Sequence, residues 1–78
     1  MRIISQNGEF DFPYDAIALR ANDHAIYARF GNADARDILV AVYNDEDMVK
    51  KAMNRLITYA GTNMPFFQFP TQEDLSNR

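Results

Sequence analysis

Three groups of residues in this sequence have types and spacing that could do chemistry: a lone histidine, a run of three carboxylates, and a trio of strand side chains. His24 is the only histidine, and histidine is the one side chain whose ordinary pKa lies near neutrality. It stands in Asn22-Asp23-His24, which reads as a polar turn. With no cysteine and no second histidine in the chain, it lacks the companions of a usual zinc site or of a Cys–His pair. A solvated surface histidine is the expectation. The run Asp45-Glu46-Asp47 offers three successive carboxylates but neither the ligand spacing nor the central glycine of a calcium loop. Negative charge at the positive end of a helix explains the run without a metal. No G-x-S-x-G, GxxxxGK[ST] or GxGxxG pattern occurs. These observations point away from an enzyme and call for no cofactor.

The third group is Arg20, Tyr27 and Arg29. A short turn around residues 22–25 joins the two segments that carry them, which would bring Arg20 almost opposite Tyr27 with Arg29 close by. Such a patch could hold a phosphate or stack a base. The competing explanation is a solvated outer sheet face with scattered charge.

The elements that must position these residues follow from the hydrophobic pattern. "RIISQ" (2–6) is a short strand, Asn7-Gly8 a tight-turn signal, and "EFDF" (9–12) an alternating strand ended by Pro13. "AIALRAN" (16–22) and "AIYARFG" (25–31) alternate again, with a turn at Gly31-Asn32-Ala33-Asp34. "RDILVAVYN" (36–44) is the most apolar stretch and suits a central strand. The period then changes. Asn44 or Asp45 can cap a helix whose apolar residues fall at Val49, Ala52, Met53, Leu56, Ile57 and Ala60, and Gly61 ends it. Met48, Met53 and Met64 are expected to fill the core, and Tyr14, Tyr43 and Tyr59 to lie at its rim with their hydroxyls in water.

"NMPFFQFP" (63–70) closes the pattern. Phe67 and Phe69 share one face of a short strand; Phe66 and Gln68 share the other. Pro65 and Pro70 flank it and suit an edge position. The sum is an α+β domain over residues 1–70: an antiparallel sheet of four to five strands packed against one amphipathic helix, in the order β-β-β-β-α-β. "TQEDLSNR" (71–78) is expected to be a frayed polar tail.

Composition narrows the function. The chain has 78 residues and a formal charge of −3, against direct binding to a DNA backbone. Its aromatic content of 13% favours a folded β-containing domain over disorder. No stretch suits a signal peptide or a membrane span, so a cytoplasmic location is expected. A core this small often needs reinforcement, and without cysteines self-association is the most available form. Phe66, facing outward on an edge strand, is where a homo-oligomer is expected. Together with Asp45, Glu46 and Asp47 it is also a candidate contact for a protein partner.

"MRIISQNG", "FDFPYDAI", "YNDEDMVKKAMNRLITYAG" and "FFQFP" together resemble a family of small proteins from Gram-positive bacteria, their prophages and other mobile elements. In that family the opening looks like MRIISQDG followed by D-[IV]-P-Y-E, and the helix resembles YSTEEKAKKAMEMLR. Relatives close on an FQFP-like strand. The resemblance covers about two-thirds of the chain and is weakest across 16–37. Many relatives are longer and carry a second helix between the first helix and the closing strand; here only Gly61 to Met64 bridge them. The resemblance implies no assigned activity. It implies a genomic context in which small, catalytically bare proteins antagonise host processes, CRISPR and other defence systems among them. Two classes stay open on the sequence: an inhibitor acting by direct protein binding, and an oligomer that sequesters a signalling nucleotide through Arg20, Tyr27 and Arg29. A structural or regulatory subunit is a third.

Overall fold

A computed structural model describes residues 1–30 and 36–76. The turn expected at Gly31-Asn32-Ala33-Asp34 and the last two residues of the expected tail lie outside that description. The chain runs β1 (Arg2–Ile4), β2 (Asp11–Pro13), a 3-10 turn (Tyr14–Ala16), β3 (Ile17–Ala21), β4 (Ala25–Phe30), β5 (Ile38–Val42), α1 (Glu46–Ala60), β6 (Phe66–Gln68) and α2 (Gln72–Ser76). The architecture is α+β, as the pattern requires, but the expected single sheet of four to five strands divides in two. One sheet has the order β2-β1-β6 and the other β3-β4-β5.

The division has a local cause. Pro13 ends β2 and the 3-10 turn redirects the chain, so β3 leaves the first hairpin and pairs only with β4. In the second sheet Arg20 stands opposite Tyr27 and Leu19 opposite Ala28, and a bulge interrupts the β4–β5 register between Ile26 and Tyr27. In the first sheet β1 pairs antiparallel with β2, Ile3 opposite Phe12, and parallel with β6, Ile3 opposite Phe67. The return of β6 beside β1 is therefore parallel, and β6 takes the edge that its flanking prolines suit. Around Asn7-Gly8 the loop is wider than a two-residue hairpin. Ser5 donates its amide to the Phe10 carbonyl, and among the described residues Gly8 alone takes a positive φ, 78°.

Helix α1 forms where the periodicity places it. The Asp45 carboxylate accepts the Met48 amide at 3.0 Å, so Asp45 is the N-cap. Val49, Ala52 and Leu56 are buried against the sheets. Met48 and Met53 are half-buried beside them, whereas Met64 is exposed and fills no core. Ile57 was expected on the buried face; it is 62% exposed, because it lies beside the edge strand β3, next to Ile17 and Leu19, with no strand beyond among the described residues. Phe67 and Phe69 are buried, stacked edge-to-face at 5.3 Å, with Tyr59 against Phe67 at 5.1 Å. Each such side chain contributes about 1.5–3 kcal/mol on burial.

The segment after Pro70 is not a frayed tail over its described part. It folds as α2 and buries Leu75 in the same core. A capping box starts it: the Asp74 amide donates to the Thr71 hydroxyl at 3.1 Å, and the Thr71 amide donates to the Asp74 carboxylate at 3.2 Å. Tyr43 also departs from expectation. It is buried rather than at the rim, and its hydroxyl donates to the Pro70 carbonyl at 2.6 Å. Burial pushes this phenol well above its ordinary range.

Candidate functional site

Arg20, Tyr27 and Arg29 do come together. They lie on the outer face of the β3-β4-β5 sheet, because alternate residues of β3 and β4 face away from α1. The Arg20 guanidinium lies 5.0 Å from the Tyr27 ring centroid. A fourth residue decides what the patch can do. Asp37 sits between the arginines and accepts from Arg20 and, at 3.0 Å, from Arg29. The Arg20 hydrogen bond leads in holding its carboxyl below the usual 3.8, against a smaller opposing effect of desolvation. The position an incoming phosphate would take is thus held by the protein's own carboxylate. Asp37 has the parity of Leu39 along β5, which places it on the same outer face, so extending the strand periodicity by one step would have found it.

His24 is exposed in its turn, where the Asn22 carbonyl oxygen Oδ1 accepts the His24 and Ala25 amides at 3.1 and 2.9 Å. Asp45, Glu46 and Asp47 occupy the start of α1 and are exposed. Asp45 is engaged in capping, and Glu46 lies 4.0 Å from Lys50 one turn on. The first turn of α2 adds Glu73 and Asp74, and a hydrogen bond from the Asn44 amide to the Gln72 side chain at 2.8 Å ties the two helix starts to each other. Among the described residues no three His, Asp or Glu side chains converge as metal ligands would, and no helix is long and apolar enough to cross a membrane.

The edge of β6 is the remaining feature. In the β1–β6 ladder the Arg2 amide donates to the Pro65 carbonyl and the Phe69 amide to the Ile4 carbonyl. By alternation, Phe67 turns its backbone groups toward β1 while Phe66 and Gln68 turn theirs to the open side. Phe66 is 51% exposed and Met64 46%. Beside them runs a groove of about 480 Å³ lined by Arg55 and Tyr59 from α1, Met64, Phe66, Gln68, and Asp74 from α2. The groove, which Gln6 also lines, combines apolar surface with one cation, one carboxylate and two side-chain amides, close to unpaired backbone donors and acceptors. Extended peptides are recognised by such a combination, the main chain supplying affinity and the pockets specificity.

Strand periodicity picks out Phe66 and Gln68 of this edge, and only Phe66 is a large apolar side chain. Arg55 and Tyr59 sit four apart on α1 and could be read as one face, but nothing local says that this face borders β6. Phe66 and the 45–47 carboxylates are not lined along one groove: Phe66 belongs to the β6 edge and the acids to the helix start. Comparison with protein-family models, with curated proteins and with solved structures finds no match.

Proposed function

We propose that the protein is a non-catalytic binding protein that docks on a protein partner by taking an extended segment of that partner along β6. The observation that carries this reading is the exposed Phe66 and Met64 beside the open backbone edge of β6 and its groove. Strand addition satisfies the outward amides and carbonyls of Phe66 and Gln68 and covers two large apolar side chains in one step. Pro65 and Pro70 limit the added strand to a few residues. The acidic starts of α1 and α2 supply a second contact, suited to a basic surface on the partner. The family resemblance supports a component of a host defence system as that partner, with inhibition following from occupancy of its surface.

The nucleotide-sequestering reading has less support, since Asp37 already pairs with both arginines of its patch and offsets one of their two charges.

Site-specific photo-cross-linking tests the docking reading. A benzophenone amino acid replaces Phe66 in one variant and the exposed Lys51, on α1, in another, within cells that naturally produce the protein. The reading expects a discrete adduct with a defence component from position 66 and none from position 51. Equal or diffuse adducts from both positions would contradict it.

A further inference from the structure

The β3 edge of the second sheet carries an independent feature. The Asn22 amide donates to the Ala25 carbonyl, which fixes the hydrogen-bonded pairs of the β3–β4 ladder at 22/25, 20/27 and 18/29. Ile17, Leu19 and Ala21 therefore point their amides and carbonyls away from β4, and among the described residues nothing receives them. The β2 and β5 edges are blunted, and the open β6 edge is limited to a few residues. Pro13 closes β2 and prolines flank β6. The outer edge of β5 is covered by Gln6, whose amide donates to the Val40 carbonyl and whose side chain bonds both backbone groups of Val42. β3 has no proline and no bulge, and its one charged side chain, Arg20, is drawn over the sheet to Asp37.

Above this edge α1 overhangs. A groove of about 350 Å³ is lined by Tyr14, Ile17, Leu19, Met53, Leu56 and Ile57 together with Asp15, and Ile57 is the most exposed large apolar residue among those described. The β3-β4-β5 sheet has three strands, and at its β3 edge this groove and Ile57 stay uncovered.

We propose that a second copy of this chain supplies the fourth, by antiparallel pairing of β3 with β3 about a two-fold axis through Leu19. This register sets Ile17 against Ala21 of the other copy, Leu19 against Leu19, and Ala18 against Arg20. All the outward backbone groups of both strands find partners; Ile17 meets the small Ala21 and Arg20 the small Ala18, while the two Leu19 side chains pack on each other at the axis. The axis runs perpendicular to the joined six-stranded sheet, so both α1 helices lie on one face with their Met53–Ile57 flanks turned toward each other. Strand pairing alone falls short of the roughly 1,000 Å² of a specific interface; the two helix flanks and the groove residues make up the difference. Charge permits the pairing, since each Arg20 near the axis is already held by its own Asp37. The dimer leaves the β6 edge free, so it neither requires nor excludes docking there.

Light scattering across a concentration series tests the proposal, with four variants. Wild type is expected at twice the protomer mass. Ala21→Pro removes an outward donor without touching the β3–β4 ladder, and Ile57→Lys changes an exposed side chain; each is expected to give a folded monomer with unchanged circular dichroism. Phe66→Asp, at the other edge, is expected to stay dimeric. Because the chain has no cysteine, Leu19→Cys under mild oxidation reports the register directly: the paired Cα atoms fall within disulfide range only if the axis passes through residue 19. A monomeric wild type overturns the proposal, as does a dimer untouched by both Ala21→Pro and Ile57→Lys, a dimer lost with Phe66→Asp, or Leu19→Cys that fails to cross-link.

Discussion

The side chain of Gln6 meets the backbone of Val42 as a neighbouring strand residue would: its Nε2 donates to the Val42 carbonyl and its Oε1 accepts the Val42 amide, both at 3.1 Å. The same Nε2 donates to the Pro70 carbonyl at 3.0 Å. One amide side chain thus joins the end of the first hairpin to the second sheet and to the turn that leads into α2. Gln6→Ala is expected to cost about 1–3 kcal/mol in urea unfolding. Gln6→Glu is expected to cost more at pH 7, because a carboxylate oxygen then replaces the Nε2 donor facing the Val42 and Pro70 carbonyls, and to recover part of the loss below about pH 4 as the carboxyl protonates. Equal losses for the two variants at both pH values would contradict this role.

Tyr43 shares the Pro70 carbonyl with Gln6. Removing its hydroxyl in Tyr43→Phe is expected to cost about 1 kcal/mol, a modest loss because the carbonyl keeps the Gln6 donor. The pH dependence has a definite sign. Tyr43 holds its proton more firmly folded than unfolded, so its ionisation costs nothing below the unfolded phenol pKa of about 10 and erodes stability as pH rises above it. Denaturant melts at pH 8 and 11 should show a smaller alkaline loss for Tyr43→Phe than for wild type.

Asp37 behaves in the opposite sense. Its carboxyl is held below 3.8 in the fold, so its contribution is present above the unfolded value and disappears as pH falls through the folded one. Asp37→Asn should flatten stability between pH 5 and pH 2 relative to wild type, with a small change at neutral pH, as exposed ion pairs give. The same variant frees Arg20 and Arg29. Thermal-shift titration with cyclic dinucleotides is expected to show nothing for wild type, while a clear wild-type shift would restore the nucleotide reading.

Leu75 tests whether α2 belongs to the fold. It is 2% exposed, and Leu75→Ala is expected to cost about 2–4 kcal/mol. Thr71→Ala, which removes half of the capping box, should cost about 1 kcal/mol. A chain ending at Pro70 that melts like the full-length protein would show that α2 contributes nothing.

The sequence was readable where structure is local and opaque where it is not. The 3.6-residue period from Val49 to Ala60, a cap at Asn44 or Asp45 and the Gly61 stop defined the bounds of α1 almost to the residue, though Ile57 and Ala60 of that period are exposed. The alternation of Phe66, Phe67, Gln68 and Phe69 assigned faces correctly, and the turn at residues 22–25 placed Arg20 against Tyr27. Strand partnering beyond hairpin neighbours, such as β6 beside β1, was not readable, because a period of two says which face is buried and nothing about which distant strand lies alongside. Gln6 is a polar residue after a short strand, and its bonds reach Val42 and Pro70 across the fold. For α2 the signal was present in Thr71-Gln72-Glu73-Asp74, a capping-box spacing, but a single apolar residue, Leu75, gave no periodicity to support it.

Amide hydrogen exchange on the free protein and on its complex with the partner captured at position 66 tests docking most directly. In the free chain the Phe67 and Phe69 amides face β1 and should exchange slowly, while the outward Phe66 and Gln68 amides should exchange fast. Docking along β6 predicts that Phe66 and Gln68 become slow in the complex. Unchanged fast exchange at those two amides, with new protection appearing elsewhere, would contradict it.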